Sequence, residues 1–198
     1  MKKNVITKEY SLHDIDRDIV RRYMCINNDD KSINNLIEDC ISESLSSFRY
    51  SICYTISDVS IEKESVCFDH FNVNSVFLSK NLNGLNSVII FAATIGIGID
   101  RLINKYSRIS PAKALCMQAI GADRIEALCN KFNDEIKKQF RYTQTRFSPG
   151  YGDFDISYQK NIFDILDCSK KIGLTLNSSL IMSPSKSVTA VIGFKREE

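Results

Sequence analysis

Apolar and polar residues follow two different periods along the chain, and these periods separate predicted helices from predicted strands. Across residues 32–48 the apolar positions recur every three or four residues, which predicts an amphipathic helix with Ser32 as its N-cap. Across residues 49–60 every second residue is apolar and the β-formers are strong, which predicts a strand with one buried face. The chain therefore mixes helix and strand from its first third onward.

The same criteria divide the rest of the chain into short elements. They predict further strands at residues 6–10, 64–68, 87–93, 174–182 and 187–194. They predict further helices at residues 14–24, 99–105, 111–139 and 157–170, with a turn at 27–30 and a helix stop at Gly173. Since no repeat, low-complexity segment or linker interrupts this series, we predict one compact α+β domain over residues 1–198 with a mainly antiparallel sheet.

Composition narrows the class of protein. The chain has 198 residues, of which 43% are apolar, and this is typical of a globular protein with one sizeable core. The net charge of +2, from 26 basic and 24 acidic residues, is too balanced to favour nucleic-acid binding. The N-terminus lacks the apolar segment of a signal peptide, and no window is apolar enough for a membrane helix.

The seven cysteines are scattered, and none belongs to a Cys-x-x-Cys pair. This pattern argues against a disulfide framework and against a thiolate metal site. Most of the cysteines have apolar neighbours, so we predict buried free thiols and a cytoplasmic protein without a metal site.

The segment from Arg146 to Gly152 carries the most chemical information. Arg146 offers a planar fork for a carboxylate or a phosphate. Pro149 biases Ser148 towards extended geometry, and the glycines at 150 and 152 permit positive φ and close approach of a ligand to the backbone. Tyr151 adds a flat ring with a polar tip. The residues alone leave two readings open, a ligand loop or a tight turn beside a surface arginine.

This segment resembles the S-adenosylmethionine-binding motif of the activation domain of cobalamin-dependent methionine synthase. The family's Arg-x-x-x-Gly-Tyr pattern is matched by Arg146, Gly150 and Tyr151, with Pro149 also in register. A predicted helix follows, and residues 182–188 then match a Met-x-Pro-x-x-Ser-Val run. The resemblance is best over residues 146–194. Upstream of these residues it is weaker, and there the chain looks like free-standing bacterial members of the family. It implies a bent antiparallel sheet flanked by helices.

The resemblance also implies a function and a site. The family domain binds S-adenosylmethionine and presents it to a cobalamin for reductive methylation of the inactive cob(II) state, with flavodoxin as electron donor. The implied ligand contacts are Arg146, Ser148, Pro149, Gly150 and Tyr151. The implied partner is a cobalamin-binding methionine synthase or a related corrinoid protein, reached in trans. The implied role is that of a methyltransferase-type reactivation subunit that positions its ligand, so no catalytic residue is assigned.

Two departures from the family pattern accompany this resemblance. The family's tyrosine pair lies well past the Ser-Val run, and the chain reaches Glu198 before such a segment. An acidic contact to the ligand's amino group has no clear counterpart. The resemblance therefore implies a more open site, or one that a partner completes. A non-catalytic scaffold subunit of a corrinoid protein that has lost the ligand stays open as an alternative.

Other polar residues have simpler explanations in the sequence. Ser187 and Val188 form a possible second tier at the floor of the site, with an ordinary core strand as the alternative. Asp153 and Asp155 suit either a ribose hydroxyl or helix starts, and helix starts are favoured. The glycine-rich turn at residues 94–98 suits either phosphate contact or close backbone packing, and packing is favoured because the dinucleotide fingerprint is incomplete.

Overall fold

The computed structural model describes residues 4–26 and 30–196 of the chain. The strands are β1 (Ile6–Tyr10), β2 (Tyr50–Glu62), β3 (Ser65–Phe68), β4 (Asn72–Asn74), β5 (Ser87–Thr94), β6 (Thr175–Leu176), β7 (Met182–Ser183) and β8 (Ser187–Phe194). The helices are α1 (Arg17–Tyr23), α2 (Lys31–Ser44), α3 (Val76–Asn81), α4 (Gly98–Ser107), α5 (Pro111–Gln139), α6 (Gln159–Leu166) and α7 (Cys168–Ile172). Two 3₁₀ turns, Leu45–Ser47 and Ile156–Tyr158, precede β2 and α6.

One antiparallel sheet forms the centre of the domain. Its strand order is β4-β3-β2-β5-β8, and β1 also pairs with β2. The long strand β2 is shared, because β1 pairs with its first half and β3 with its second half. The strands β6 and β7 form a separate two-stranded hairpin. The predicted fold class, an α+β domain with a mainly antiparallel sheet flanked by helices, is confirmed.

Helices cover both faces of this sheet, and a hydrophobic core lies on each side. Alternate residues of β5 enter the two cores, with Phe91 among the side chains on one face and Ile90 on the other. The first core packs against α1, α2, α4 and α5, while the second packs against α3, α6 and α7. This explains why β5 reads as a continuous apolar run, since both of its faces are buried.

Helix starts differ from prediction where two capping residues compete. The N-cap of α2 is Asp30, whose carboxylate accepts from the backbone N–H of Ser32, so the prediction of Ser32 as the cap was wrong by two residues. Asp16 caps α1 in the same way, which shortens the helix predicted at 14–24. The N-cap Ser110 and the full span of α5 were predicted correctly. Most of the predicted turn at 27–30 lies outside the described residues.

Two predicted elements near the C-terminal end are divided in the structure. The helix predicted at 157–170 is broken at Asp167, which adopts left-handed geometry with φ of 49° and separates α6 from α7. The strand predicted at 174–182 is instead the β6–β7 hairpin, closed by hydrogen bonds of Asn177. Gly173 ends α7 with φ of 66°, as predicted.

The glycine-rich turn after β5 packs closely against the backbone of another segment. A Cβ atom at Gly98 would lie 2.1 Å from the carbonyl oxygen of Ser47, and one at Gly96 would lie 3.1 Å from Cβ of Arg49. The turn therefore holds α4 against the α2–β2 connection, and the favoured prediction of backbone packing is confirmed.

The described residues also test two predictions from composition. All seven cysteines are free, and five of them are buried, as predicted. No helix within the described ranges combines the length and the apolar character that a membrane span requires.

Candidate functional site

The segment that carries Arg146 runs along the outer edge of β8. Phe147 and Val191 exchange two backbone hydrogen bonds of 2.9 Å, and the N–H of Gln144 donates to the carbonyl of Gly193 at 2.8 Å. Because consecutive side chains of extended chain point to opposite faces, Arg146 and Phe147 project to different sides of the sheet edge. Arg146 reaches α5, and Phe147 joins the core beside α6.

Arg146 is held by a polar stripe on α5. Its Nη2 donates to the Glu126 carboxylate, and its Nη1 donates to Oδ1 of Asn130 at 2.9 Å. The amide orientation of Asn133 that satisfies its hydrogen bonds also places Oδ1 2.9 Å from Nη1 of Arg146. The Arg146 side chain is 22% exposed and that of Glu126 is 44% exposed, so solvent still reaches the pair. A guanidinium has five N–H donors, which leaves donors for a further acceptor.

The glycines after Arg146 form a tight turn. Gly150 has φ of 94° and Gly152 has φ of 57°, and both values lie in the left-handed region. The N–H of Gly150 donates to the carbonyl of Phe154 at 2.7 Å, which closes the turn. Pro149 is buried at its base, while the Tyr151 side chain stands outward and is 69% exposed. The turn therefore presents an aromatic ring on a fixed backbone.

Aromatic rings support this turn from the side of the second core. Phe147 stacks on Phe154 with ring centroids 6.2 Å apart, and Phe154 lies 5.6 Å from Tyr158. The series continues through Phe71 to Phe68, with centroid distances of 6.1 Å and 4.8 Å. These distances are typical of favourable ring pairs, so packing as well as hydrogen bonding fixes the turn.

The two aspartates after the turn accept hydrogen bonds from the first residues of helical segments. Asp153 accepts hydrogen bonds from the Ser75 hydroxyl and from the backbone N–H groups of Val76 and Phe77, at the start of α3. Asp155 accepts from the N–H of Ser157 at 2.8 Å. These hydrogen bonds lower the pKa of both carboxyls. The favoured prediction of helix-start acids holds for Asp155, which begins the 3₁₀ turn before α6, whereas Asp153 lies at the start of α3 and not of the helix that follows it.

A cleft of about 680 Å³ opens beside Arg146 and crosses the edge of the sheet. One end is the polar stripe of α5, and the other end is formed by the turn, the start of α6 and β7. The lining residues are Glu126, Asn130, Asn133, Lys137, Thr145, Arg146, Phe147, Ser148, Pro149, Tyr151, Gln159, Met182, Ser187, Val188 and Thr189. The volume lies within the range of about 300–1,000 Å³ that is usual for small-molecule sites.

Between these ends, the edge of β8 contributes backbone groups. Val191 directs both of its hydrogen bonds to Phe147, so Thr189 and Ser187 direct their backbone groups to the same outer side. Residues 144–147 cover β8 only at Val191 and Gly193, and the chain leaves the strand at Ser148 and Pro149. Ser187 and Thr189 line the cleft. The middle of the cleft therefore offers N–H donors and C=O acceptors.

Most of the residues predicted from sequence lie together in this cleft. Six of the seven line it: Arg146, Ser148, Pro149, Tyr151, Ser187 and Val188. Gly150 lies outside the lining and acts on the shape of the turn through its hydrogen bond to Phe154. Their contact with a ligand stays a prediction.

The α5 wall of the cleft and Gln159 were not predicted from the sequence. The α5 residues Glu126, Asn130, Asn133 and Lys137 are spaced four, three and four residues apart, which is a polar stripe on one helix face. That spacing can be read from the sequence, but the contact of the stripe with Arg146 cannot. Beneath it, burial raises the pKa of the Cys129 thiol to about 12, so Cys129 is uncharged there.

These features define a domain with a ligand-sized cleft at a sheet edge, where an arginine and a carboxylate share one end. Residues 72–198 match the family described as vitamin B12 dependent methionine synthase, activation domain. The match covers more than half of the chain, and the chain belongs to this family. The resemblance stated from the motifs is confirmed.

A solved structure extends the likeness to the whole chain. The crystal structure of the MetH reactivation domain bound to AdoHcy superimposes with a TM-score of 0.71 at 14% sequence identity. The alignment covers 100% of this chain and 80% of that one, and it shows a common fold. A search of curated proteins returned no match.

Proposed function

We propose that this protein binds S-adenosylmethionine in the cleft beside Arg146 and presents it to a cobalamin held by a partner protein, in trans. Family membership supports the class of reaction, and the MetH domain of the same fold was solved with AdoHcy, the demethylated form of this ligand. The partner would be a cobalamin-binding methionine synthase or a related corrinoid protein, with flavodoxin as a candidate electron donor and the cytoplasm as the location.

The observation that carries this proposal is the pairing of Arg146 with Glu126 at one end of the cleft. A free amino acid carries a carboxylate and an ammonium group on one carbon. A guanidinium fork suits the carboxylate, and a half-exposed carboxylate suits the ammonium group. Glu126 is therefore our candidate for the acidic contact that the sequence did not supply. The flat ring of Tyr151 and the β8 backbone groups are then available to the adenosine.

The chemistry requires positioning more than proton transfer. The partner's cobalamin would supply the methyl acceptor, after reduction by one electron from an external donor, and the sulfonium would give up its methyl group to leave S-adenosylhomocysteine. The chain's own contribution is to hold the sulfonium at the mouth of the cleft in a fixed orientation. Its residues need no acid–base role in that step.

Calorimetric titration of the purified protein with S-adenosylmethionine tests the proposal. We expect saturable binding, and we expect Arg146→Ala to weaken it by about 10- to 100-fold, because a hydrogen bond to a charged group contributes about 1.5–3 kcal/mol. Arg146→Lys should fall between the two, since it keeps the charge but loses the fork.

Arg108→Ala provides the matched control, because Arg108 is an exposed arginine at the C-terminal end of α4, outside the cleft lining. It should bind as the wild type does. Equal affinity of the wild type and Arg146→Ala would remove Arg146 from the site. Absence of binding in the wild type would favour the scaffold alternative.

A further inference from the structure

Gln159 occupies an unusual position at the end of the cleft opposite Arg146. It is the first residue of α6, it lines the cleft, and it is 5% exposed. Its Oε1 is buried and accepts no hydrogen bond. Among the buried side-chain atoms without a partner in the described residues, it is the one that belongs to the cleft lining.

An acceptor in this state is unfavourable for the free protein. Burial removes its hydrogen bonds to water, and nothing in the fold replaces them. Buried polar groups are normally paired, so an unpaired one beside a ligand-sized cleft points to a donor that arrives with the ligand.

The topology decides which part of the ligand reaches Gln159. The helices α5 and α6 cover opposite faces of the sheet, and the cleft crosses the sheet edge between them. Arg146 and Glu126 lie at the α5 end, where they suit the amino-acid part of the ligand. The adenosine part then extends across the edge of β8 towards the start of α6.

The surroundings of Gln159 suit a flat heteroaromatic base. Pro149, Tyr151 and Met182 line the same end of the cleft and offer apolar surface for the faces of a ring. Adenine carries an amino donor beside ring-nitrogen acceptors, and a glutamine amide matches this edge with one acceptor and one donor. Ribose lacks this flat edge and fits better beside the β8 backbone groups.

We propose that Gln159 is a specificity-determining residue that reads the amino edge of adenine, with Oε1 accepting from the 6-amino group. This inference rests on the proposed function, since it assumes that S-adenosylmethionine or S-adenosylhomocysteine occupies the cleft. It assigns recognition of the base to α6, and it separates that recognition from the amino-acid contacts at α5.

A cycle of two ligands and two proteins tests the assignment. The ligands are S-adenosylhomocysteine and its 6-deamino analogue, in which hydrogen replaces the amino group. The wild type should bind the analogue about tenfold more weakly, because the buried oxygen stays unpaired. In Gln159→Met, which keeps the length of the side chain, both ligands should bind with nearly equal affinity.

The unliganded variant provides a second measurement. Gln159→Met removes an unpaired buried oxygen, so its melting temperature should equal or exceed that of the wild type. A fall in the melting temperature would indicate a structural role and contradict the inference. Gln118→Met is the matched control, since Gln118 is exposed on α5 outside the cleft lining, and it should leave both affinities unchanged.

The outcomes separate this inference from the function on which it rests. Suppose that the wild type binds S-adenosylhomocysteine and that Gln159→Met prefers it over the analogue as strongly as the wild type does. This result would overturn the role of Gln159 and leave the proposed function standing. If neither S-adenosylmethionine nor S-adenosylhomocysteine binds the wild type, both proposals fail.

Discussion

The role of Glu126 decides whether the Arg146–Glu126 pair belongs to a ligand site or is an ordinary surface ion pair. It already neutralises Arg146 in the free protein, and it remains 44% exposed. We expect Glu126→Gln to weaken binding of S-adenosylmethionine about tenfold, because the ammonium group of the ligand loses a charged acceptor. Calorimetry with the ligand and with an analogue that lacks the amino group measures the effect.

The analogue makes the Glu126 experiment specific. If Glu126 contacts the ammonium group, the wild type prefers the natural ligand and Glu126→Gln loses most of that preference. An equal loss of affinity for both ligands would instead mean that Glu126 acts only by orienting Arg146. Asp134→Asn is a matched control, since Asp134 is an acidic residue of α5 outside the cleft lining.

Asp153 connects the turn formed by residues 148–154 to α3, and its contribution to stability depends on pH. Its hydrogen bonds from Ser75, Val76 and Phe77 lower its pKa from the ordinary 3.8 in the folded protein. A lowered pKa stabilises the fold above the unfolded-state value, and this stabilisation disappears as the pH falls through the folded-state value. We therefore expect Asp153→Ala to melt below the wild type at neutral pH.

The difference between the two proteins should narrow in acid. Melting curves of both proteins from about pH 7 to about pH 3 would measure it, and the gap should be constant above about pH 4 and begin to narrow below it. A gap that is constant over this range would show that the carboxylate charge contributes nothing to the cap.

At the scale of elements, Gly98 in the turn between β5 and α4 is required by a close contact and not by a positive φ. Gly98 has a helical environment that alanine would normally favour, yet a Cβ there would lie 2.1 Å from the Ser47 carbonyl oxygen. We expect Gly98→Ala to lower the free energy of unfolding by about 2–4 kcal/mol, measured by urea denaturation.

Gly84→Ala separates this contact from backbone strain. Gly84 has φ of 78°, and nothing lies within 4 Å of a Cβ built there. Its replacement should cost about 1 kcal/mol through backbone geometry alone. A loss in Gly98→Ala no larger than that in Gly84→Ala would contradict the expected clash, because the 98–47 contact would then relax at little cost.

Elements were predictable from sequence where local signals agree. The helix α5 has Ser110 as its cap, Pro111 at its first position and lysines in its last turn, and both of its ends were predicted. The start of α2 was misplaced because Asp30 and Ser32 are both good caps, and only the backbone geometry distinguishes them. The break at Asp167 was missed because left-handed geometry at an aspartate has no reliable local signal.

At the scale of the whole molecule, only part of the candidate site could be predicted from the sequence. The residues from Arg146 to Tyr151 are contiguous, so one motif contains them all. Glu126 and Gln159 belong to helices on opposite faces of the sheet, and their distance from Arg146 depends on how these helices are packed. Sequence periodicity gives the face of each helix but not its neighbour across a sheet edge.

The segment of residues 144–147 that covers the outer edge of β8 has a consequence beyond the cleft. An outer strand with unpaired backbone groups is a template for strand addition by another chain, and proteins usually block it. Residues 144–147 block β8 at Val191 and Gly193, and beyond them Ser187 and Thr189 line the cleft as buried residues. A bound ligand would occupy that remaining stretch. The stretch of β8 that our proposal assigns to the ligand is thus protected from strand addition by its burial rather than by pairing with residues 144–147.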